Sequence, residues 1–258
     1  MNTAQKTSDS ALVEATTSVA LQAIHVEKIY PTRPDFKALN DVSLSVTAGE
    51  CFALVGVNGA GKTTLIKSWL NLTQVSKGAL AIFGVDATTL EARQRMAYMP
   101  ERFAPHGWLK TRDYIQLVLS LHGVAWNESA VVQTLQDIGL QAGVLKLAMR
   151  ECSKGMSQKI GLAAAFLSGR ELLILDEPMS GLDPISRVQV KDLIRKMKEQ
   201  GRTVFMCTHA LGDVGELADR LAVMHGGEIR FVGTVSEWLA KYNTDNLEQA
   251  YLSTVQAS

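Results

Sequence analysis

The amino-acid sequence predicts an α/β fold, and three observations carry that expectation. Short, continuously apolar runs at Cys51–Val55, Leu172–Leu175 and Thr203–Cys207 read as strands buried on both faces of a parallel sheet. Helical patterns follow the first two, one from the glycine-rich turn after Val55 to about Leu72 and one from Pro184 to about Gln200. Between about Arg102 and Ser168 the apolar residues recur at helical spacing, as in Tyr114, Leu117, Val118 and Leu121 and then Val131, Val132, Leu135 and Ile138. That block reads as a helical insertion between α/β pieces.

In chain order, residues 1–20 are rich in Ala, Ser and Thr, carry Lys6, Asp9 and Glu14, and lack a continuous apolar segment. They read as a flexible tail rather than a secretory signal. Leu21–Tyr30 alternates like a strand, Pro31 and Pro34 mark a loop, and Val42, Leu44 and Val46 alternate again before a turn at Gly49. Ala79–Phe83 and Met96–Met99 read as further strands. Pro184 suits a first helical turn, with Asp183 as the residue that caps it. Leu221–Met224 and Glu228–Val232 flank Gly226-Gly227 and read as a hairpin. Residues 241–258 read as a tail or a short helix, and no internal repeat is evident.

Composition narrows the function classes. Nearly half of the 258 residues are apolar (47%), so a large core is within reach, and 26 basic residues balance 26 acidic ones. A formal charge of zero argues against bulk attraction to nucleic acid or anionic lipid. The three cysteines lie far apart, without the spacing of a zinc or redox motif, and an odd count fits a reducing compartment. No apolar run approaches the roughly 18 residues of a membrane span. The longest candidates, around Gln116–Trp126 and Gly161–Leu167, are too short or are broken by polar residues. Any membrane association therefore has to come through a partner.

Two motifs carry chemistry. Gly56-Val57-Asn58-Gly59-Ala60-Gly61-Lys62-Thr63 fits G-x-x-x-x-G-K-[ST], with a strand before it and a helix after it. Glycines let backbone N–H groups curl toward phosphate oxygens, and the following helix adds its positive end. Lys62 is placed to reach β- and γ-phosphates, the Thr63 hydroxyl to ligate Mg²⁺, and Thr64 continues the phosphate-facing turn. Leu172-Leu173-Ile174-Leu175-Asp176-Glu177 ends a buried strand in two carboxylates, at the sheet edge where ligands bind in parallel α/β folds. Asp176 would hold Mg²⁺ and Glu177 would orient or deprotonate an attacking water. Read alone, the acidic pair is equally a helix-capping turn; beside the phosphate loop it reads as catalytic.

A third segment narrows the class. Cys152-Ser153-Lys154-Gly155-Met156-Ser157-Gln158 precedes a helical pattern. Read alone it is a capping turn. In its place between the other motifs it resembles the L-S-G-G-Q signature of the ABC ATPase family, matching at Ser153 and Gly155 and departing at Cys152, Lys154 and Met156. Ser180-Gly181-Leu182-Asp183 resembles the family's D-loop, and Thr208-His209 falls where the family has its switch histidine. Tyr30 reads either as an aromatic at a strand edge or, by the resemblance, as the ring that stacks on adenine. The family's Q-loop glutamine is replaced by Glu101 in Tyr98-Met99-Pro100-Glu101, and a carboxylate there is also able to ligate Mg²⁺ or its water. Exporter-like and drug-efflux-like ATPases of the family resemble this chain around Tyr98–Glu101 and Ser153–Gln158.

The resemblance runs from about Leu21 to Leu239 and implies an ABC ATPase domain over residues 21–240. Its parts would be a P-loop α/β core, an antiparallel β subdomain and a helical subdomain at about 102–168. It implies ATP and Mg²⁺ as cofactors. It also implies a homodimer or heterodimer with a second such subunit, each ATP lying between the phosphate loop of one chain and Ser153–Gly155 of the other. Separate transmembrane permease subunits would complete a transporter, placing this chain peripherally at the cytoplasmic face, with export somewhat favoured and no nucleic acid expected. Catalysis would fall to Glu177, His209 and Lys62. ATP would be bound by Tyr30, Gly56, Val57, Asn58, Gly59, Ala60, Gly61, Lys62, Thr63, Thr64, Ser153, Gly155 and Asp183, and the metal by Thr63, Glu101 and Asp176. Phe103, Trp108, Leu109 and Tyr114 read either as a docking surface or as packing of the helical subdomain. The rival is a soluble ABC ATPase of ribosome or DNA handling; a single cassette without sustained heptads does not favour it.

Overall fold

The protein is described here by a computed structural model, which covers residues 18–256. Residues 1–17, most of the expected tail, lie outside the described residues. Two sheets organise the rest. The smaller has strand order β2-β1-β4-β5, built from β1 (Val19–Tyr30), β2 (Arg33–Thr47), β4 (Lys77–Ile82) and β5 (Val85–Asp86). All its pairings are antiparallel. β1 begins at Val19, before the Leu21 expected from the alternation. The loop expected across Pro31 and Pro34 is instead a tight hairpin in which Tyr30 pairs with Arg33, and Pro34 lies inside β2. β2 is an edge strand, where a proline without an N–H is tolerated.

The larger sheet has order β10-β9-β3-β8-β7-β6. Its members are β3 (Cys51–Val55), β6 (Met96–Met99), β7 (Leu172–Asp176), β8 (Thr203–Thr208), β9 (Arg220–His225) and β10 (Glu228–Gly233). The strands from β6 to β9 are parallel, and β10 closes the edge as an antiparallel hairpin partner of β9. β3, β7 and β8 are buried at every position, which is why apolar residues run without alternation through Cys51–Val55, Leu172–Leu175 and Val204–Cys207.

That sheet separates two cores. On one face Phe52 and Leu54 of β3 join Leu21, Val26 and Leu39 of the small sheet and Leu65, Ile66 and Trp69 of α1 (Lys62–Trp69). Phe52 stacks on Phe205, and Trp69 meets Phe205 edge-on, with ring centroids 6.0 and 5.4 Å apart. The Trp69 indole N–H donates to Gln22 O at 3.2 Å and ties α1 to β1. α1 ends before the expected Leu72, because Asn71 adopts a left-handed conformation (φ 54°) that turns the chain.

On the opposite face Cys51, Ala53 and Val55 pack toward the helical block. That block contains α3 (Thr111–Leu121), α4 (Glu128–Asp137), two short 3₁₀ turns and α5 (Lys154–Leu167). α2 (Leu90–Gln94) precedes β6, α6 (Pro184–Glu199) follows β7, and α7 (Leu211–Leu217) follows β8. After β10 come α8 (Val235–Lys241) and α9 (Leu247–Gln256), so the C-terminal region carries a helix. The buried Trp238 of α8 donates from its indole nitrogen to Thr254 Oγ1 of α9 at 2.8 Å. Among the described residues no helix is long and apolar enough to cross a membrane.

Candidate functional site

The site forms at the C-terminal ends of β3, β7 and β8. β3 delivers the chain into residues 56–61, and two glycines there are dictated by close approach. A Cβ on Gly56 would lie 2.5 Å from Met224 O, and one on Gly61 (φ 112°) would lie 2.7 Å from Ala38 O. With Gly61 as its cap, α1 starts at Lys62 without a side-chain cap, so its first-turn N–H groups face the loop with no helical acceptor. The Lys62 ammonium donates to Gly56 O at 2.5 Å and Val57 O at 3.3 Å, folding back along the loop. A cavity of about 410 Å³ runs over this surface, lined by the loop and Lys62–Thr64 on one side and by Tyr30, Arg33 and Phe36 of the hairpin on the other. Tyr30 Oη lies 3.5 Å from Thr64 Oγ1, so the ring stands beside the phosphate loop and the cavity has an aromatic end and a cationic end.

β7 carries Asp176 to the same edge. Burial, followed by the negative charges of Glu101 and Glu177, pushes the Asp176 pKa up to about 6, against the opposing influence of the Lys62 charge and the Thr63 hydroxyl. That crowding of negative charge beside a hydroxyl suits a hard divalent cation. The donors on hand, a carboxylate, a hydroxyl and the neighbouring Glu101, are the oxygen type that Mg²⁺ takes. Among the described residues no cluster of three or more Asp, Glu, His or Cys is arranged to hold a metal by itself. The fit is therefore to an ion that also takes phosphate and water oxygens.

Glu177 lies one residue beyond Asp176 and adopts an uncommon positive φ of 49°. Three backbone contacts hold it. Its N–H donates to Cys207 O at 2.9 Å, and its carbonyl accepts from Ser180 N at 3.1 Å and from Gln158 Nε2 at 3.3 Å. Its side chain, only 8% exposed, accepts from His209 Nδ1 at 2.8 Å, while the His209 ring is 61% exposed. Behind His209, the buried Asp213 of α7 takes Arg187 at 2.6 Å and Lys191 at 3.1 Å from α6, fixing the two helices that frame Glu177 and His209.

The expected site residues thus divide into two groups. Tyr30, residues 56–64, Glu101, Asp176, Glu177 and His209 gather at the edge just described. Ser153, Gly155 and Asp183 do not join them; they line a separate cavity of about 530 Å³ with Met156, Lys159 and Ser186, sharing no lining residue with the first. Ser153 Oγ caps α5 by accepting from Met156 N at 3.2 Å. Asp183 caps α6, accepting from Ser186 N at 3.0 Å and Ser186 Oγ at 2.6 Å, contacts that hold its carboxyl below the usual range. Of the surface considered for docking, Phe103 and Tyr114 pack edge-to-face at 5.3 Å against the helical core, and Trp108 remains 68% exposed beneath the Arg150 guanidinium.

Two residues at the site escape a reading of the sequence. Gln158, 2% exposed, donates to the carbonyls of Glu177 and Pro178; the sequence shows it at the end of the Cys152–Gln158 segment but assigns it no role. Tyr251 of α9 accepts a hydrogen bond from Val57 N in the phosphate loop at 3.1 Å, and nothing local in the sequence announces that contact.

Comparison with known proteins agrees with this fold. The family described as ABC transporter matches residues 39–180. The chain is 36% identical over 221 residues to the uncharacterized ABC transporter ATP-binding protein sll0415 of Synechocystis, an alignment covering 83% of this chain and 62% of that protein. It is 33% identical to the uncharacterized ABC transporter ATP-binding protein all4389 of Nostoc, over 94% of this chain and 74% of that one. A solved structure described as the ATP-binding subunit of an ABC transporter superposes with a TM-score of 0.84 at 27% identity, covering 91% of this chain and 99% of that one. By its matched family, its relatives and its two-sheet architecture, the chain belongs to the ABC transporter family as one of its ATP-binding, ABC ATPase cassettes.

Proposed function

We propose that this chain binds and hydrolyses Mg-ATP as the nucleotide-binding subunit of an ABC transporter, working as a dimer attached to separate membrane-spanning subunits at the cytoplasmic face. The observation that carries the reading is the convergence at one sheet edge of Lys62, the Thr63–Asp176 pair and Glu177 bonded to His209. Lys62 and the α1 N-terminus bind the phosphates, and Tyr30 offers its ring to the base. Thr63 and Asp176, with Glu101 beside them, would hold Mg²⁺, which when bound offsets phosphate charge. Glu177 accepts a proton from, or orients, the attacking water, and His209 fixes its carboxylate. Lys62, Glu177 and His209 carry the catalytic step in this scheme.

Ser153, Gly155 and Asp183 sit in their own cavity, and this separation supports an ATP site shared between two chains. A second chain would present them to the phosphate loop of the first. The partner is either another copy or a related cassette. Export is the direction suggested by Glu101, although relatives named for lantibiotic transport (31% identical) and for methionine import (33% identical) are about equally similar. Use of the cassette on ribosomes or DNA has no specific feature in its favour.

The test is Glu177→Gln, which keeps shape and the His209 contact while removing the basic carboxylate. Turnover is expected to fall by about 10²–10⁴-fold, the usual contribution of a general base, with Mg-ATP affinity kept. Mg-ATP should then shift the variant to a dimer on size-exclusion chromatography, and adding Ser153→Arg should abolish the shift. Turnover close to the parent would place the base elsewhere. A dimer that survives Ser153→Arg would remove the shared site.

A further inference from the structure

We propose that Tyr251 is a positioning residue of the phosphate-binding loop, joining the C-terminal helix α9 to the nucleotide site. The proposal rests on the reading of residues 56–64 as that loop.

The peptide unit between Gly56 and Val57 is gripped at both ends. Its N–H donates to Tyr251 Oη at 3.1 Å, and its carbonyl accepts from Lys62 Nζ at 2.5 Å. The unit is planar and stiff, so a phenol holding the N–H also sets the direction of the carbonyl that receives the Lys62 ammonium. On a third side the unit is confined by Met224 O, which leaves no room for a Cβ on Gly56. Val57 itself is 48% exposed, so without Tyr251 its N–H would face water and the plane would tilt more freely.

α9 is well placed to act as an anchor. Ala250 and Thr254 are buried, and Trp238 of α8 donates to Thr254 Oγ1 at 2.8 Å. Thr254 Oγ1 in turn donates to Ala250 O at 2.7 Å. These contacts fix the helix independently of Tyr251, which therefore reaches the loop from a rigid support. Tyr251 lines neither the cavity over the loop nor the separate pocket beside Glu177 and His209. Its influence on nucleotide runs through the Gly56–Val57 peptide and Lys62.

The experiment is Tyr251→Phe in the full chain, with the Leu252→Ala change on the exposed side of the same helix as a control. Equilibrium binding of Mg-ATP by calorimetry should show Kd raised about 3- to 10-fold in Tyr251→Phe, the range of one neutral hydrogen bond, and unchanged in Leu252→Ala. Turnover at saturating ATP should be kept, so the defect appears in KM and not in kcat. Residue-level amide exchange should accelerate at Val57 and stay as in the parent at Phe52 within β3. A merely structural role for Tyr251 would lower Tm while leaving Kd within twofold of the parent and Val57 exchange unchanged, and that result overturns the proposal. A parent chain that binds no Mg-ATP would instead overturn the phosphate-loop reading beneath it, a failure that Kd of the parent alone reveals.

Discussion

Replacing Gln158 with methionine tests how the catalytic carboxylate is held. The Gln158 amide is buried and donates at 3.3 Å to the carbonyls of both Glu177 and Pro178. Methionine matches its length and packing but donates nothing. Glu177 O retains Ser180 N at 3.1 Å, whereas Pro178 O has no other donor among the described residues. One long hydrogen bond is then lost outright and one buried carbonyl is left unpaired, together costing about 2 kcal/mol. For a domain of this size that corresponds to a fall in Tm of about 4–8 °C. The functional effect should be larger. Glu177 sits at φ 49°, a conformation that a non-glycine residue keeps only when its surroundings enforce it. Loss of one of its restraints lets the carboxylate drift from its His209 partner, and small misplacements at a reacting centre are costly. Turnover at saturating Mg-ATP is expected to fall at least about tenfold, with Kd for Mg-ATP unchanged because Lys62 and the loop are untouched. Steady-state kinetics, calorimetry and thermal unfolding of the one variant decide the matter. A Tm drop with unchanged turnover would reduce Gln158 to an ordinary buried amide and refute the reasoning.

Lys62→Ala should weaken Mg-ATP binding by about 10- to 100-fold, the scale of charge-assisted hydrogen bonds, and abolish turnover; near-normal phosphate release would contradict the loop assignment. Glu101→Gln is expected to leave hydrolysis by the isolated chain largely intact, because an amide oxygen still serves a metal-bound water. Glu101→Ala should lower it further, and equal losses in both would mean that the negative charge itself is required.

Parts of this site are legible in the sequence because they are local. The phosphate loop needs glycines at fixed offsets, and Gly56 and Gly61 are forced by backbone oxygens of β9 and β2 that lie closer than van der Waals contact to where a Cβ would be. Asp176 and Glu177 follow from an apolar strand that ends in two carboxylates. Asp183 is readable as a helix cap because a cap is a relation between neighbours. Pro34 misleads for the opposite reason: whether a proline breaks a strand depends on which edge of which sheet the strand occupies, and that is decided by β1 and β4. Gln158 and Tyr251 act through partners far along the chain, so only the folded arrangement exposes them.

The central sheet also constrains how the protein is made. β3, the strand that ends in the phosphate loop, is flanked by β8 and β9, with Cys51 opposite Val204 and Phe52 opposite Arg220. When it leaves the ribosome, neither neighbour has been synthesised, and at roughly 5–20 residues per second they follow on the order of 10 s later. For that interval an uncharged, continuously apolar segment has both of its backbone edges unsatisfied, the condition under which strands pair with the wrong chain. Nascent chains truncated just before Thr203 should therefore associate with holdase chaperones that bind apolar segments, and extension through β9 should release them.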